Sequence, residues 1–199
     1  MAIIRKSKKV CSLEEKISSK LQTRLITTKV LSYFRFTRRC FYVASEVGVY
    51  NSDVLAITPN NKVVEIEVKN SMADFKNEFK KGYRRYGIED KIKKHNVYAK
   101  GKSLWVPNYF YFAGSPLFSH KMKIYLDNID SPYGVIEVEN GLVQFKPQCR
   151  VIRRAKPLQS NLVDDKVRSS ILYRMSSEII GRRKDLCSIL YKRELEEMK

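Results

Sequence analysis

Apolar residues near the start of the chain recur at helical spacing. Leu13, Ile17, Leu21 and Leu25 fall on one face, and Ser12 followed by Glu15 makes a capping-box pattern. The spacing predicts a helix from Ser12 to about Phe36. The period then drops to two, and Cys40–Glu46, Ser52–Thr58 and Lys62–Lys69 read as short strands. The tight turn Thr58-Pro59-Asn60-Asn61 joins the last two into a hairpin. A polar, helix-compatible stretch runs from Ser71 to about Ala99, and strands follow at Asn108–Ala113 and Gly134–Val138. Tyr109 to Phe112 puts aromatic rings on both faces, which suits a central, buried strand. Helical spacing returns in Leu162, Val167, Ile171, Leu172, Met175 and Ile179, so Ser160–Met198 reads as helical, with Gly181 as a break or cap. This order predicts an α/β protein whose mixed sheet is flanked by helices. No repeat or linker divides it, so residues 1–199 read as one domain, with a core over 12–158 and a C-terminal helical extension over 159–199.

With 199 residues, 43% of them hydrophobic, the chain can bury a real core. Its 39 Lys and Arg against 21 Asp and Glu leave a formal charge of +18, which points to a polyanionic partner. The longest apolar run, Tyr109 to Ala113, falls far short of the roughly 20 residues of a membrane span. The N-terminal Met-Ala-Ile-Ile-Arg-Lys lacks the apolar centre of a signal peptide. No membrane partner and an intracellular location are therefore expected. Cys11, Cys40, Cys149 and Cys187 contain no C-x-x-C pair and His95 and His120 are the only histidines, which argues against a zinc finger and for free, mostly buried thiols.

The chemistry concentrates in Val63 to Lys69. Strict alternation puts Val64, Ile66 and Val68 on one face and Glu65, Glu67 and Lys69 on the other. If Thr58 pairs with Lys62, Asp53 falls opposite Glu67, where Cβ atoms lie roughly 4.5–5.5 Å apart. Two carboxylates that close repel unless a cation or a proton lies between them. A divalent metal held by carboxylates and a phosphate oxygen meets that need, and Lys69 beside it would orient or deprotonate an attacking water. A register shifted by one residue would separate the pair, and the same alternation also describes a solvated strand face.

Asp53 followed by Glu67-Val68-Lys69 resembles the signature of the PD-(D/E)XK nuclease superfamily. The flanking text, Ser45-Glu46 through Asp53 to Ile57 and Glu65 through Asn70-Ser71 to Asp74-Phe75, is similar to MmcB-like DNA-repair nucleases and related small phage nucleases. Lys94-His95, Pro107 to Ala113 and Tyr133 to Glu137 continue the likeness, which spans roughly Phe36 to Lys156. Ser52 stands where many relatives carry Pro or Ala, and Lys76 to Ile88 is an insertion relative to the bacterial members. The resemblance implies a restriction-endonuclease-like αβββαβ core, with Asp53 and Glu67 as ligands of Mg2+ or Mn2+ and Lys69 as the catalytic lysine. Glu46 matches a further acidic metal-site position, or else is a strand-end residue facing solvent.

From Lys76 to Lys100, nine Lys or Arg stand against three acidic residues, interleaved with Tyr83, Tyr86 and Tyr98. Lys80, Lys81, Arg84, Arg85, Lys93, Lys94 and His95 are the expected DNA contacts, cations tracking phosphates and tyrosines offering faces to unstacked bases. The competing reading is a solvated helix face, with Tyr98 in the core. A second basic cluster, from Arg150 to Lys184, is either a charged outer face or an extension of that surface. The expectation is a metal-dependent deoxyribonuclease of DNA repair, recombination or phage genome processing. Its place is the cytoplasm of a bacterium or phage-infected host, on single-stranded or branched DNA rather than plain duplex, with branch recognition favouring a homodimer. The alternatives are a catalytically inactive nucleic-acid-binding protein of the same fold and an RNA-associated basic protein.

Overall fold

Where the sequence alternates, the chain is extended. Three antiparallel neighbours, β1 (Tyr42–Val47), β2 (Ser52–Ile57) and β3 (Val63–Val68), begin the sheet. The computed structural model describes residues 19–48, 50, 52–85, 88–100, 106–139 and 149–197, with backbone alone at 83–85, 88–92, 100, 192, 195 and 197. The turn between β2 and β3 closes as the sequence predicts. Thr58 N–H donates to the Lys62 carbonyl (2.9 Å), Lys62 N–H donates to Thr58 Oγ1 (3.1 Å), and Asn61 takes the left-handed φ of 56°.

Beyond β3 come α2 (Met72–Glu78), a hairpin of β4 (Gly82–Arg85) and β5 (Ile88–Lys93), and α3 (Lys94–Lys100). Then follow β6 (Tyr109–Gly114), α4 (Pro116–Asn128), β7 (Gly134–Val138), β8 (Cys149–Arg153) and α5 (Asp165–Glu197). The six-stranded sheet has the order β1-β2-β3-β6-β7-β8, parallel at β3–β6 and β6–β7 and antiparallel elsewhere. The protein is thus α/β with a mixed sheet flanked by helices and a C-terminal helix.

Several elements differ from the sequence expectation. The supposed helix over 71–99 is two short helices around a hairpin. Ser71 starts the first by accepting from Asp74 N–H (3.1 Å), and Gly82 opens the first hairpin strand. α4 and β8 were not legible. α4 buries only Ser119, Met122 and Leu126 while exposing Leu117 and Ile124, so its apolar stripe is blurred. α5 runs through Gly181, which is exposed.

The first helix, α1, occupies residues 19–32 and ends in a π-helical turn (Tyr33–Thr37). It packs through Ile26, Val30, Tyr33 and Phe34, whereas Leu21 and Leu25 are exposed. The predicted cap at Ser12 and Glu15, the face positions Leu13 and Ile17, and Cys11 lie outside the described residues. Cys40, Cys149 and Cys187 are free thiols, of which only Cys40 is buried.

Strand alternation gives the sheet two unlike faces. Val54, Ala56, Val64, Ile66, Val68, Ile136 and Val138 pack under α1. On the other face Leu55, Ile57 and Val63 meet Val167 and Ile171 of α5, while Phe110, Phe112 and Val135 meet Phe75, Tyr98, Met122 and Leu126. Phe75 stands edge-on to Phe112 with centroids 4.7 Å apart, and fully burying such a ring is worth about 1.5–3 kcal/mol. β6 is central, as its aromatic pattern predicts.

Gly134 carries a packing constraint. A Cβ there would stand 2.2 Å from Tyr111 Cε1 and 2.9 Å from the Ala155 nitrogen, so glycine is what lets the Tyr111 ring lie across β7. Gly134→Ala is expected to lower stability by about 1–3 kcal/mol in urea unfolding. Adding Tyr111→Ala should recover part of that loss, because the ring is the nearer obstacle; equal or greater loss in the double variant would place the obstacle at the backbone.

Candidate active site

β2 and β3 pair Val54 with Ile66, Leu55 with Glu65 and Ala56 with Val64. One step further along that ladder, Asp53 stands beside Glu67, as the turn arithmetic predicts. Alternation sends Glu65, Glu67 and Lys69 to the face covered by α2, α3 and α5. That face is not solvated. Glu65 is 0% exposed, and Glu67 and Lys69 are each 2% exposed.

Buried carboxylates at this density require cations. Lys94, the first residue of α3, places Nζ 2.6 Å from Glu65 Oε1, 3.1 Å from Glu67 Oε1 and 3.7 Å from Glu78 Oε1. Lys69 Nζ lies 3.2 Å from Glu67 Oε2 and 2.6 Å from Glu78 Oε2, and Lys81 Nζ lies 2.6 Å from Glu78 Oε2. The Tyr98 hydroxyl donates to Glu65 Oε2 (2.6 Å), and Val68 N–H donates to Asp53 Oδ2 (2.7 Å). The cluster thus joins four carboxyl groups with three lysines.

Burial, and then the neighbouring Glu67, push the Asp53 carboxyl up to about 6. Burial raises Glu65 to about 7 even though Lys94 opposes it. Burial would also raise Glu78, but Lys69 and Lys94 outweigh it and hold that carboxyl at about 2. Burial works against the charge of Lys69, and Glu67 and Glu78 reverse this, so its ammonium is held above the ordinary lysine range. Lys94 is raised in the same way, by Glu65 and Glu67.

The structure therefore brings Asp53, Glu67 and Lys69 together. Glu46 is not with them. It has a left-handed φ of 50°, and its carboxylate is held by Arg174 Nη2 of α5 at 2.8 Å. Lys80 and Lys93 are exposed, next in sequence to Lys81 and Lys94, and Lys81 is exposed while its ammonium pairs with Glu78. Lys94 and His95, expected to contact DNA, are instead inside. Lys94 is consumed by the carboxylates. His95 is stacked among Phe79, Phe110 and Tyr133 with Nδ1 2.8 Å from the Tyr133 hydroxyl. Burial, then Lys94, lower His95 to about 3, which leaves a neutral ring. Arg84 and Arg85 lie on β4, and their side chains fall outside the described residues, as do the side chains of Tyr83 and Tyr86.

Sequence reasoning missed Glu78 and the buried roles of Glu65 and Lys94. The available signal for Glu78 was its spacing of three from Phe75, which puts both on the inner face of α2.

Whether a divalent cation fits can be judged from the donors. Among the described residues no three His, Cys, Asp or Glu side chains form a metal-ready group. Asp53 and Glu67 do adjoin, and Glu67 raises Asp53. Two carboxylates completed by water and phosphate oxygens are a donor set that Mg2+ accepts. The pair would offer such an ion two carboxylates, with both Glu67 oxygens also facing lysines.

The chain has a counterpart at the level of fold. No family model matches it, and no curated protein matches it. A solved protein of unknown function from Silicibacter pomeroyi superposes with a TM-score of 0.50 at 15% identity, covering 83% of this chain and 90% of that one. The likeness supports the α/β architecture. Among the described residues no helix is long and apolar enough to cross a membrane.

Two outcomes follow from the electrostatics. Lys94→Met should cost about 3–5 kcal/mol in urea unfolding, because it strands buried carboxylates, and Glu65→Gln in the same chain should return part of it. Asp53 and Glu65 have folded values above their ordinary ones, so their contribution is complete at low pH and lost as pH rises through about 6 and 7. Glu78 is lowered, so its contribution is lost as pH falls from the usual carboxylate range towards about 2. The urea midpoint should therefore peak in mildly acid solution, and Asp53→Asn should flatten its decline towards neutrality. An unchanged decline in Asp53→Asn would assign it to Glu65 alone.

Proposed function

We propose that this protein is a metal-dependent deoxyribonuclease that hydrolyses phosphodiester bonds at the Asp53–Glu67–Lys69 row. The observation that carries the reading is the juxtaposition of two repelling carboxylates with a protonated lysine on one hairpin, with Lys80 and Lys93 exposed next in sequence to the cluster's Lys81 and Lys94. Asp53 and Glu67 would hold Mg2+ or Mn2+, and a bound ion of that kind supplies an activated water and neutralises phosphate charge. Glu78 keeps Lys69 charged and aimed, through its 2.6 Å contact. Held protonated, Lys69 serves as a donor to the scissile phosphate or the water rather than as a base. Exposed lysines at the rim guide the strand and make its affinity steeply salt-dependent. The resemblance of these motifs to PD-(D/E)XK nucleases agrees with this assignment, as does the overall charge of +18.

A specific observation favours a second reading, an inactive DNA-binding protein. Both oxygens of Glu67 already face lysines, Oε1 towards Lys94 and Oε2 towards Lys69. Cleavage assays separate the two. A labelled panel of single strand, duplex, flap and four-way junction is incubated with Mg2+, Mn2+ or EDTA. Metal-dependent cutting is expected, preferring single-stranded or branched substrates. Asp53→Ala, Glu67→Ala and Lys69→Ala should each lower the rate by about 100-fold or more while most DNA binding survives. Binding without cutting under either metal would establish the inactive binder.

A further inference from the structure

We propose that the cavity on the α1 face of the sheet is a nucleotide-binding site, with phosphate held by Arg38, Arg39 and Arg154 and the base laid on Tyr109 and Tyr111. It lies on the side of the sheet opposite the carboxylates. Val64 and Ile66 pair with Tyr109 and Tyr111, while Glu65 and Glu67 pair with Phe110 and Phe112, so alternation separates the two groups. The inference is independent of the nuclease reading.

The cavity measures about 790 Å³, within the range of small-molecule sites. Its lining includes Arg38, Arg39, Lys62 and Arg154 and, among the described residues, contains no Asp or Glu. Four described arginines elsewhere are paired, Arg150 with Glu137, Arg153 with Asp127, Arg168 with Asp165 and Arg174 with Glu46. Among the described residues Arg24, Arg182 and Arg183 on helix surfaces are not, so it is the clustering around one cavity that sets Arg38, Arg39 and Arg154 apart. Among the described residues Arg38, Arg39 and Arg154 form no ion pair with a carboxylate, although all three are exposed. Clustered guanidinium groups without carboxylate partners select a phosphate, which they bind through paired N–H donors.

The floor is aromatic and built. Tyr109 and Tyr111 are half-buried, and Gly134 lets the Tyr111 ring lie down across β7. A flat ring surface beneath a cationic rim suits a planar base joined to a phosphate. The rim itself is irregular. α1 ends in the π-helical turn Tyr33–Thr37, whose Tyr33 carbonyl accepts from Arg38 N–H (2.9 Å), and Arg39 follows with a left-handed φ of 56°. π-turns and left-handed non-glycine residues are costly and concentrate at binding sites. Here they turn two successive arginines at the mouth of one cavity.

The nucleotide has two sources, a free mononucleotide or an unpaired nucleotide of a single strand. Calorimetric titration of the full chain in EDTA, with dAMP, deoxyadenosine, inorganic phosphate and a short oligodeoxyadenylate, tests the proposal. dAMP should bind about tenfold or more tightly than either half alone, because ring and phosphate act together. Arg38→Gln with Arg154→Gln, both at exposed positions, should weaken dAMP by about tenfold or more, and Tyr111→Leu should do likewise while Tyr111→Phe retains binding. An oligonucleotide that displaces dAMP and binds more tightly identifies the strand as ligand; dAMP binding that the oligonucleotide cannot displace identifies the free nucleotide. Phosphate binding as tightly as dAMP, unchanged dAMP affinity in the double arginine variant, or no heat with millimolar dAMP would overturn it. The thermal midpoint of each variant guards against a folding defect, and Tyr111→Phe against Tyr111→Leu remains decisive if the arginine variant melts early.

Discussion

Putting carboxylates on the inner face of a central strand is the constraint around which this molecule is organised. All six residues of β3 are buried, and two of them are glutamates. Removing an ionised carboxylate from water costs several kcal/mol unless a cation compensates it. No cation on β3 itself can reach Glu65, so the chain beyond it must deliver one. It does so through Lys94 at the head of α3, which contacts Glu65 and Glu67, while Glu78 on α2 gathers Lys69 and Lys81. The positions of α2 and α3 are thus fixed by charge as well as by Phe75 and Tyr98. The hairpin between them joins two helix ends that the cluster holds in place, with Gly82 and Lys93 paired at its base and Lys94 N–H donating to the Lys81 carbonyl (3.1 Å).

A strand has two faces, and this sheet uses them for opposite electrostatic ends. On one side, carboxylates and lysines are packed to near balance. On the other, cations and tyrosines gather around a cavity whose described lining holds no carboxylate. The same alternation that delivers Glu65 and Glu67 inward delivers Val64 and Ile66 to the α1 side, next to Tyr109 and Tyr111. Binding chemistry on either side therefore depends on one register, and a one-residue slip would invert both faces at once.

Much of this was legible in the chain. Thr58-Pro59-Asn60-Asn61 is a local signal whose geometry sets the register of β2 on β3, and hence the meeting of Asp53, Glu67 and Lys69. The rings of Tyr109 to Phe112 identified a central strand. What failed were inferences requiring knowledge of neighbours. Residues 71–99 are polar because they compensate a buried cluster and form a charged hairpin, and polarity without period does not separate helix from strand. Lys94 and His95 read as phosphate contacts because composition cannot reveal that one is committed to glutamates and the other to an aromatic stack. α4 was hidden by Leu117 and Ile124, apolar yet exposed. Topology supplies the clue that periodicity lacked, since parallel neighbours β6 and β7 require a crossover of this kind.

Glu46 shows how a strand-end residue escapes such reasoning. Across from Ser45 and Val47 stand Val54 and Ser52, so the ladder sets Glu46 level with Asp53. Its left-handed backbone and the Arg174 guanidinium take the carboxylate out towards α5. The cluster is left with four carboxyls and three lysines, one negative charge in excess when every group is ionised. In a metal-free protein protonation relieves the excess, at Glu65 and at Asp53, which burial above all raises to about 7 and about 6. In the nuclease reading a divalent cation would relieve it instead and leave the site one charge positive. That surplus would match the single negative charge of a phosphodiester; without the lysines facing Glu67 the same metal-loaded site would carry a net negative charge and repel an anionic substrate.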